Sequence, residues 1–220
     1  MNTVIKQIIK SPRLNLYVRK LDRFIIEERR KRQKFYEMLD DNSNMEFING
    51  EIIMHSPIKL CHSEASDSLY QLLKFYVDLS GLGEVRHEKL MISLTRNDYE
   101  PDISFFSAEK YKEFSREQMK FPAPDFIVEV TSPSTEKYDR GVKFEDYAAH
   151  GVKEYWIIDP EEKTIEQYLL KDRKYFLNVK VQKGIIESRV IKGFKISVEA
   201  VFDNVIRRQV MQEILMKASL

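Results

Sequence analysis

Phe126-Ile127-Val128-Glu129-Val130, running on into Thr131-Ser132-Pro133-Ser134, is an apolar strand with one carboxylate inside it. A charged side chain avoids such a strand unless it is paired or binds a cation. Ser134 or Thr135 can cap a helix over about residues 135–149, which Gly151 ends. Glu154-Tyr155-Trp156-Ile157-Ile158-Asp159-Pro160 is then a second strand with a hard stop. Strand, helix and strand over 125–159 make a βαβ-like unit. That favours an α/β fold, a mixed sheet flanked by helices.

Working outward, strands are expected at about 84–94 and 101–106, with Pro101-Asp102 opening the second. The polar stretch 108–120 reads as a short helix and loop, punctuated by Pro122 and Pro124. Leu69, Leu72, Leu73 and Tyr76 form the buried stripe of a helix over 61–79, and Gly81 ends it. Asn49-Gly50 is the signature of a type I′ turn in a hairpin over 44–55. That turn puts Met45, Phe47, Ile52 and Met54 on one wholly apolar face, and Glu46, Ile48, Glu51 and Ile53 on the other. Residues 19–39 read as a charged amphipathic helix, with Leu21, Phe24, Ile25, Glu28 and Phe35 at helical spacing. The division expected is an N-terminal basic helical extension, 1–40, packed on a domain spanning 41–220. Thr164 to Leu170 pairs with the strand before it, and residues 203–217 close the chain as a helix.

The 220 residues suit one domain with a sizeable core. A charged fraction of 32% argues for a soluble globular protein. The net charge of +1 supplies no global field toward polyanions. Charge is uneven, however: residues 1–40 hold eleven Lys and Arg against five Asp and Glu. Arg29, Arg30 and Arg32 sit in the densest run, which serves either as a solvated helix face or as a contact to a nucleic-acid backbone. The single cysteine, Cys61, excludes an intrachain disulfide and points to a cytoplasmic location. No apolar run approaches the ~20 residues that span a bilayer, so no membrane partner is expected. Lys6 and Lys10 interrupt the few apolar residues of the N-terminus, which has no signal-peptide core.

Asp102 and Glu129 are the expected centre of the chemistry. Asp125, in a second Pro-Asp pair, competes with Asp102, and distance decides against it. Asp125 and Glu129 are four residues apart on one strand, roughly 13 Å between Cα atoms at ~3.3 Å per residue. A cation with oxygen ligands at ~2.0–2.6 Å does not easily bridge that span. Asp102 lies on another strand, and a neighbouring strand is only ~4.8 Å away. Lys143 flanks the apolar arc of Phe144, Tyr147 and Ala148, with Asp139 and Tyr147 one turn to either side. It is placed either to lean over the sheet or to pair with Asp139 at the surface. Lys137 and Lys153, near the helix ends, are weaker candidates. His55 and His62, flanking Ser56-Pro57, are turn residues, or contacts to a phosphate or, through water, to a metal. The chain has no HExxH, cysteine cluster or Walker-type loop, which argues against zinc and nucleoside triphosphate sites.

These residues resemble a known family. Pro101-Asp102, the run Phe126 to Ser134, Asp139, Lys143, Tyr147 and the block Gly151 to Pro160 are similar to the Uma-type restriction endonucleases of the PD-(D/E)xK nuclease superfamily. Glu46 to Glu51, Ser56-Pro57 and His62 match that family's opening hairpin and helix, so the resemblance covers about residues 44–203. It implies a restriction-endonuclease-like fold and Mg²⁺- or Mn²⁺-dependent cleavage of DNA. It also implies that Asp102 and Glu129 are metal ligands. The superfamily's usual lysine stands two residues after the second acid, where this chain has Thr131. The resemblance therefore points to Lys143 on the helix as its replacement.

The expected function is a metal-dependent DNA endonuclease. Asp102, Glu129 and Lys143 are its catalytic residues, Glu46 is a third candidate metal ligand, and Arg29, Arg30, Arg32 and His62 contact nucleic acid. The rival is a nuclease-fold protein that binds or scaffolds without turnover. Duplex cleavage needs two scissions, so a homodimer is expected. Its face would be Val205, Val210, Ile214 and Leu215 of the last helix, with Phe202 before it; intramolecular docking of these residues is the alternative.

Overall fold

The computed structural model describes residues 3–40, 44–88 and 90–218. In chain order the elements begin with α1 (Thr3–Lys10), α2 (Leu14–Met38), β1 (Met45–Ile48), β2 (Glu51–Met54) and α3 (Leu60–Ser80). Next come β3 (Gly83–His87), β4 (Met91–Ser93), β5 (Asp98–Tyr99), β6 (Ile103–Ser107), α4 (Ala108–Tyr111), β7 (Lys120–Phe121) and β8 (Phe126–Val130). The chain continues with α5 (Glu136–Asp139), α6 (Val142–Ala149), β9 (Glu154–Asp159), β10 (Thr164–Lys171), β11 (Lys174–Val181), β12 (Ile185–Glu187), β13 (Lys195–Ser197) and α7 (Asn204–Ala218). Two compact units result, Met1–His55 with Arg96–Asp98, and Ser56–Thr95 with Tyr99–Leu220. The division expected at 40/41 abuts residues 41–43, which lie outside the described residues. The hairpin groups with the N-terminal helices.

In the first unit β1 and β2 pair antiparallel in the register that Asn49-Gly50 dictates, Met45 opposite Met54 and Phe47 opposite Ile52. Both turn residues have positive φ, 53° and 86°, as a type I′ turn requires. Burial follows the strand rather than the face: β1 is buried throughout, Glu46 included, while Met54 is exposed. Helix α2 packs through Phe35 and through two ion pairs. The Arg32 guanidinium grips both oxygens of Asp98 at 2.6 and 2.8 Å, and Arg96 binds Glu28 at 2.7 and 2.8 Å. The arc of Leu21, Phe24 and Ile25, expected to pack, is exposed.

The second unit is built on a six-stranded mixed sheet in the order β11-β10-β9-β8-β6-β3. β8 and β9 are parallel, joined through α5 and α6, and the other pairs are antiparallel. The period of two divides each strand between two faces. Ile103, Phe105, Phe126, Val128, Val130, Trp156 and Ile158 turn to a core shared with Leu69, Leu72 and Leu73 of α3 and with Val210 and Ile214 of α7. Val210 and Ile214 therefore dock intramolecularly. Of the expected dimer face, Val205 and Leu215 remain exposed.

The helix expected over 135–149 is broken. A Cβ on Gly141 would stand 2.5 Å from the Lys137 carbonyl oxygen. Only glycine fits the backbone there, so α5 ends and α6 starts as a separate helix. The strand expected over 84–94 also divides, into β3 and β4. No helix among the described residues is long and apolar enough to cross a membrane.

Candidate active site

The site lies on the sheet face opposite that core, where β8 and β6 point their other side chains. β6 and β8 pair with Ile103 opposite Val128 and Ser104 opposite Ile127. Carrying that register one residue further sets Asp102 opposite Glu129. Residues directly across an antiparallel pair project to the same face. Asp102 sits at the bend before β6, its side chain 18% exposed. One carboxylate oxygen accepts the Val130 N–H at 2.6 Å, and the other is 3.2 Å from His62 Nε2.

Glu129 is buried, and its Oε1 accepts from Lys143 Nζ at 3.1 Å and from the Tyr147 hydroxyl at 3.0 Å. Lys143 and Tyr147 stand one turn apart on α6, so one face of that helix supplies both. The ammonium is 3.5 Å from Asp139 Oδ1 and 5.9 Å from the Tyr99 ring centroid. The Tyr147 ring meets those of Tyr99 and Tyr155 edge to face. Asp139 and Lys143 are both buried, so theirs is not a surface pair. The break at Gly141 separates α5, which carries Asp139, from α6, which carries Lys143.

The charges of this pocket are mutually felt. Burial pushes His62 down, but the bond to Asp102 and the negative charges of Asp102, Glu88 and Asp139 prevail and hold it above its ordinary value. Burial first, then the charges of Glu129, Asp139 and Asp102, push the Tyr155 hydroxyl well up. Three carboxylates thus share the pocket with one ammonium and one imidazole. The oxygens of Asp102 and Glu129 are the hard donors that a hard divalent cation would take. Such an ion keeps several waters and needs only one or two carboxylates besides a substrate phosphate. Among the described residues no group of three or more His, Cys, Asp and Glu is arranged to hold a metal.

A cleft of about 160 Å³ opens beside His62 and Thr131, lined also by Lys59, Ser132, Asp159 and Glu161. Lys59 and Glu161 are bonded to each other at 2.6 Å. Thr131 donates its hydroxyl to the Ile158 carbonyl.

Asp125 accepts the Ser107 N–H and bonds Lys153. Burial would raise it, but the Ser107 bond, Lys153 and Lys110 hold it below its ordinary value. Lys137 lies over the Tyr138 ring. Glu46, in the first unit, is fully buried with His55 Nε2 at 3.1 Å. Arg29 and Arg30 are exposed on α2, whereas Arg32 is engaged by Asp98. Periodicity and motif spacing do not report the nearness of Tyr99 to Lys143, a contact distant in sequence, or the burial of Asp139, which stands on the far side of the break at Gly141.

A family model described as "Uma2: Putative restriction endonuclease" matches residues 32–199. Among solved structures, the chain is similar to a crystal structure titled as a putative nuclease belonging to DUF820 from Anabaena variabilis. The two are 19% identical, with a TM-score of 0.66, and the match covers 77% of this chain and 96% of that one. The restriction-endonuclease-like mixed sheet flanked by helices is therefore shared with that protein. No curated protein matches.

Proposed function

The chain belongs to the Uma2 family, and from that premise we propose that it is a metal-dependent endonuclease that hydrolyses phosphodiester bonds in DNA. The observation that carries the reading is the convergence of Asp102, Glu129 and Lys143 on one face of β6 and β8. Asp102 and Glu129 would hold one Mg²⁺ or Mn²⁺. That ion supplies Lewis acidity to a phosphate oxygen and a bound water of lowered pKa.

The chain's own residues do the rest. The Val130 N–H and His62 Nε2 fix the two oxygens of Asp102, and Tyr147 and Lys143 fix Glu129. Anchored carboxylates lose little further freedom when substrate arrives. Lys143 is the nearby ammonium. Held among buried rings, it is placed to orient the attacking water and to offset charge that grows on the phosphate. It does so from α6, in place of the strand lysine for which this chain has Thr131. Thr131 anchors the end of β8 to β9.

The test is cleavage of supercoiled plasmid and of single-stranded DNA with Mg²⁺, Mn²⁺ or EDTA. Cleavage with either metal, abolished by EDTA and by Glu129→Gln, is expected. DNA binding without cleavage under any of these conditions would replace the reading by its rival, a nuclease-fold binding protein.

A further inference from the structure

A second cleft opens on the sheet face that carries the candidate active site. Its volume is about 720 Å³, within the ~300–1,000 Å³ usual for small-molecule sites. Its cations are Arg86, Lys112 and Arg116, and its aromatic residues are Phe106, Tyr111, Phe114 and Phe121. Ser115 and Gln118 add polar groups, and among the described residues no acidic one lines it. The last point is telling in a chain with 35 acids. Glu113 and Glu117 are on the same segment, yet both stay out of the lining.

We propose that this cleft binds a nucleotide of a single strand flanking the scissile bond, its base on the aromatic rings and its phosphate on the cations. Such a combination of a positively charged groove and stacking rings is how single strands are held without sequence preference. The proposal rests on the nuclease reading above and names where its substrate runs.

The rings form one cluster. Phe114 meets Phe106, Phe121 and Tyr111 edge to face, at 5.0, 5.2 and 5.8 Å between centroids. Phe106 is fully buried and anchors the group, whereas Tyr111, Phe114 and Phe121 are only half-buried. A cluster serving only as a small core would close over its rings; this one leaves them at the wall of an open cleft. Arg86 lies with its guanidinium 5.5 Å from the centre of the Tyr111 ring and donates to the Tyr111 hydroxyl at 2.6 Å. That contact fixes the ring's orientation, and Glu84, 3.5 Å from the guanidinium, offsets part of its charge, so Lys112 and Arg116 are the cations left for a phosphate.

Position supplies the second argument. β3 and β6 pair with Arg86 opposite Ser104 and Glu84 opposite Phe106. Alternation puts Ser104 and Phe106 on the same face as Asp102. Two residues along a strand are roughly 7 Å and four are roughly 13 Å. The cleft therefore begins about one to two nucleotide steps from the Asp102–Glu129 pair. A strand held with its phosphate at that pair reaches the rings with its neighbouring base.

The test is fluorescence anisotropy of a labelled single-stranded oligonucleotide, with EDTA present so that no cleavage intervenes. A duplex of the same sequence and free thymidine monophosphate are the comparison arms. Tyr111→Leu keeps bulk and removes the ring. Stacking contributes enough that single-strand affinity should fall about tenfold, with duplex affinity changed less. Lys112→Gln with Arg116→Gln, both exposed, should flatten the salt dependence of single-strand binding by about one unit. Competition by the mononucleotide identifies a free nucleotide as sufficient; its failure identifies the strand. Unchanged single-strand affinity in Tyr111→Leu overturns the proposal, even if cleavage is confirmed. Loss of binding in both variants of a protein that never cleaves keeps the cleft and removes the nuclease reading.

Discussion

Lys143 reaches Glu129 at 3.1 Å and Asp139 at 3.5 Å while itself being buried. One ammonium thus stands between a carboxylate of the central strand and another from the short helix before its own. On the proposed reading, a cation so placed would serve stability and chemistry together.

Removing it should therefore show in two measurements. Lys143→Met is expected to lower cleavage by at least about a hundredfold, the scale of a lost charge-stabilising donor. It should also lower the unfolding free energy by about 3 kcal/mol, because breaking a buried pair leaves a charge uncompensated. Urea unfolding reads the second effect. Full activity in this variant would remove Lys143 from the mechanism.

Gly141→Ala should be costly despite its small size. The added Cβ meets the backbone oxygen of Lys137 at 2.5 Å, and a carbonyl in a helical turn does not yield easily. A loss of about 1–3 kcal/mol is expected, on the scale of overpacking. Cleavage should fall beyond what the unfolded fraction explains, as α6 shifts Lys143. Unchanged stability would mean that the break between α5 and α6 does not need glycine.

Glu154 is buried and accepts from Trp156 Nε1, Gln167 Nε2, Ser188 Oγ and the Arg189 and Val190 N–H groups. Glu154→Gln turns one acceptor oxygen into a donor facing donors. A loss of about 2–4 kcal/mol is expected from such a buried network. Trp156, the only tryptophan, reports it directly by fluorescence during denaturation.

Acid stability should depend on Glu166. Burial opposes its charge, but bonds from Arg140, Lys180 and Tyr168 prevail and lower it from 4.5 to about 2. The unfolded chain therefore binds this proton more readily than the folded one. The stabilisation is fully present above pH 4.5 and drains away as pH falls toward 2. Glu166→Gln should flatten the acid limb of a stability–pH curve in that window. An identical limb in both proteins would refute the assignment.

Arg29→Gln with Arg30→Gln should flatten the salt dependence of duplex affinity by about two units if each meets a phosphate. Arg32→Gln should instead lower stability, since it removes the guanidinium that grips both oxygens of Asp98 and leaves the Tyr36 hydroxyl on that carboxylate. An unchanged salt slope in the double variant would leave Arg29 and Arg30 as a solvated helix face.

The central strand, the Asn49-Gly50 turn and the ends of α3 are legible in the sequence because each depends on local chemistry. Lys143 is only half legible: its spacing leaves it either over the sheet or paired with Asp139 at the surface, the family resemblance points to it, and the structure sets it 3.1 Å from Glu129. Less local facts escape. A run of helical periodicity over 135–149 does not show that a Cβ at position 141 would meet a carbonyl. Apolar residues on α7 read equally as core or as interface until α3 is seen to cover Val210 and Ile214. Arg32, within a basic run, gives no sign of Asp98, 66 residues later.

β8 has consequences for folding time. Its two neighbours are β6, reached back across the α4 region, and β9, reached through α5 and α6 in parallel. Both pairings are distant in sequence, and parallel pairing in particular waits for its crossover to form. Glu129 acquires its surroundings only when both neighbours have closed on it. During refolding, the geometry around Glu129 can return no sooner than the slowest strand joins the sheet. The pairing of Glu129 with Lys143 is thus complete only when the sheet itself is complete.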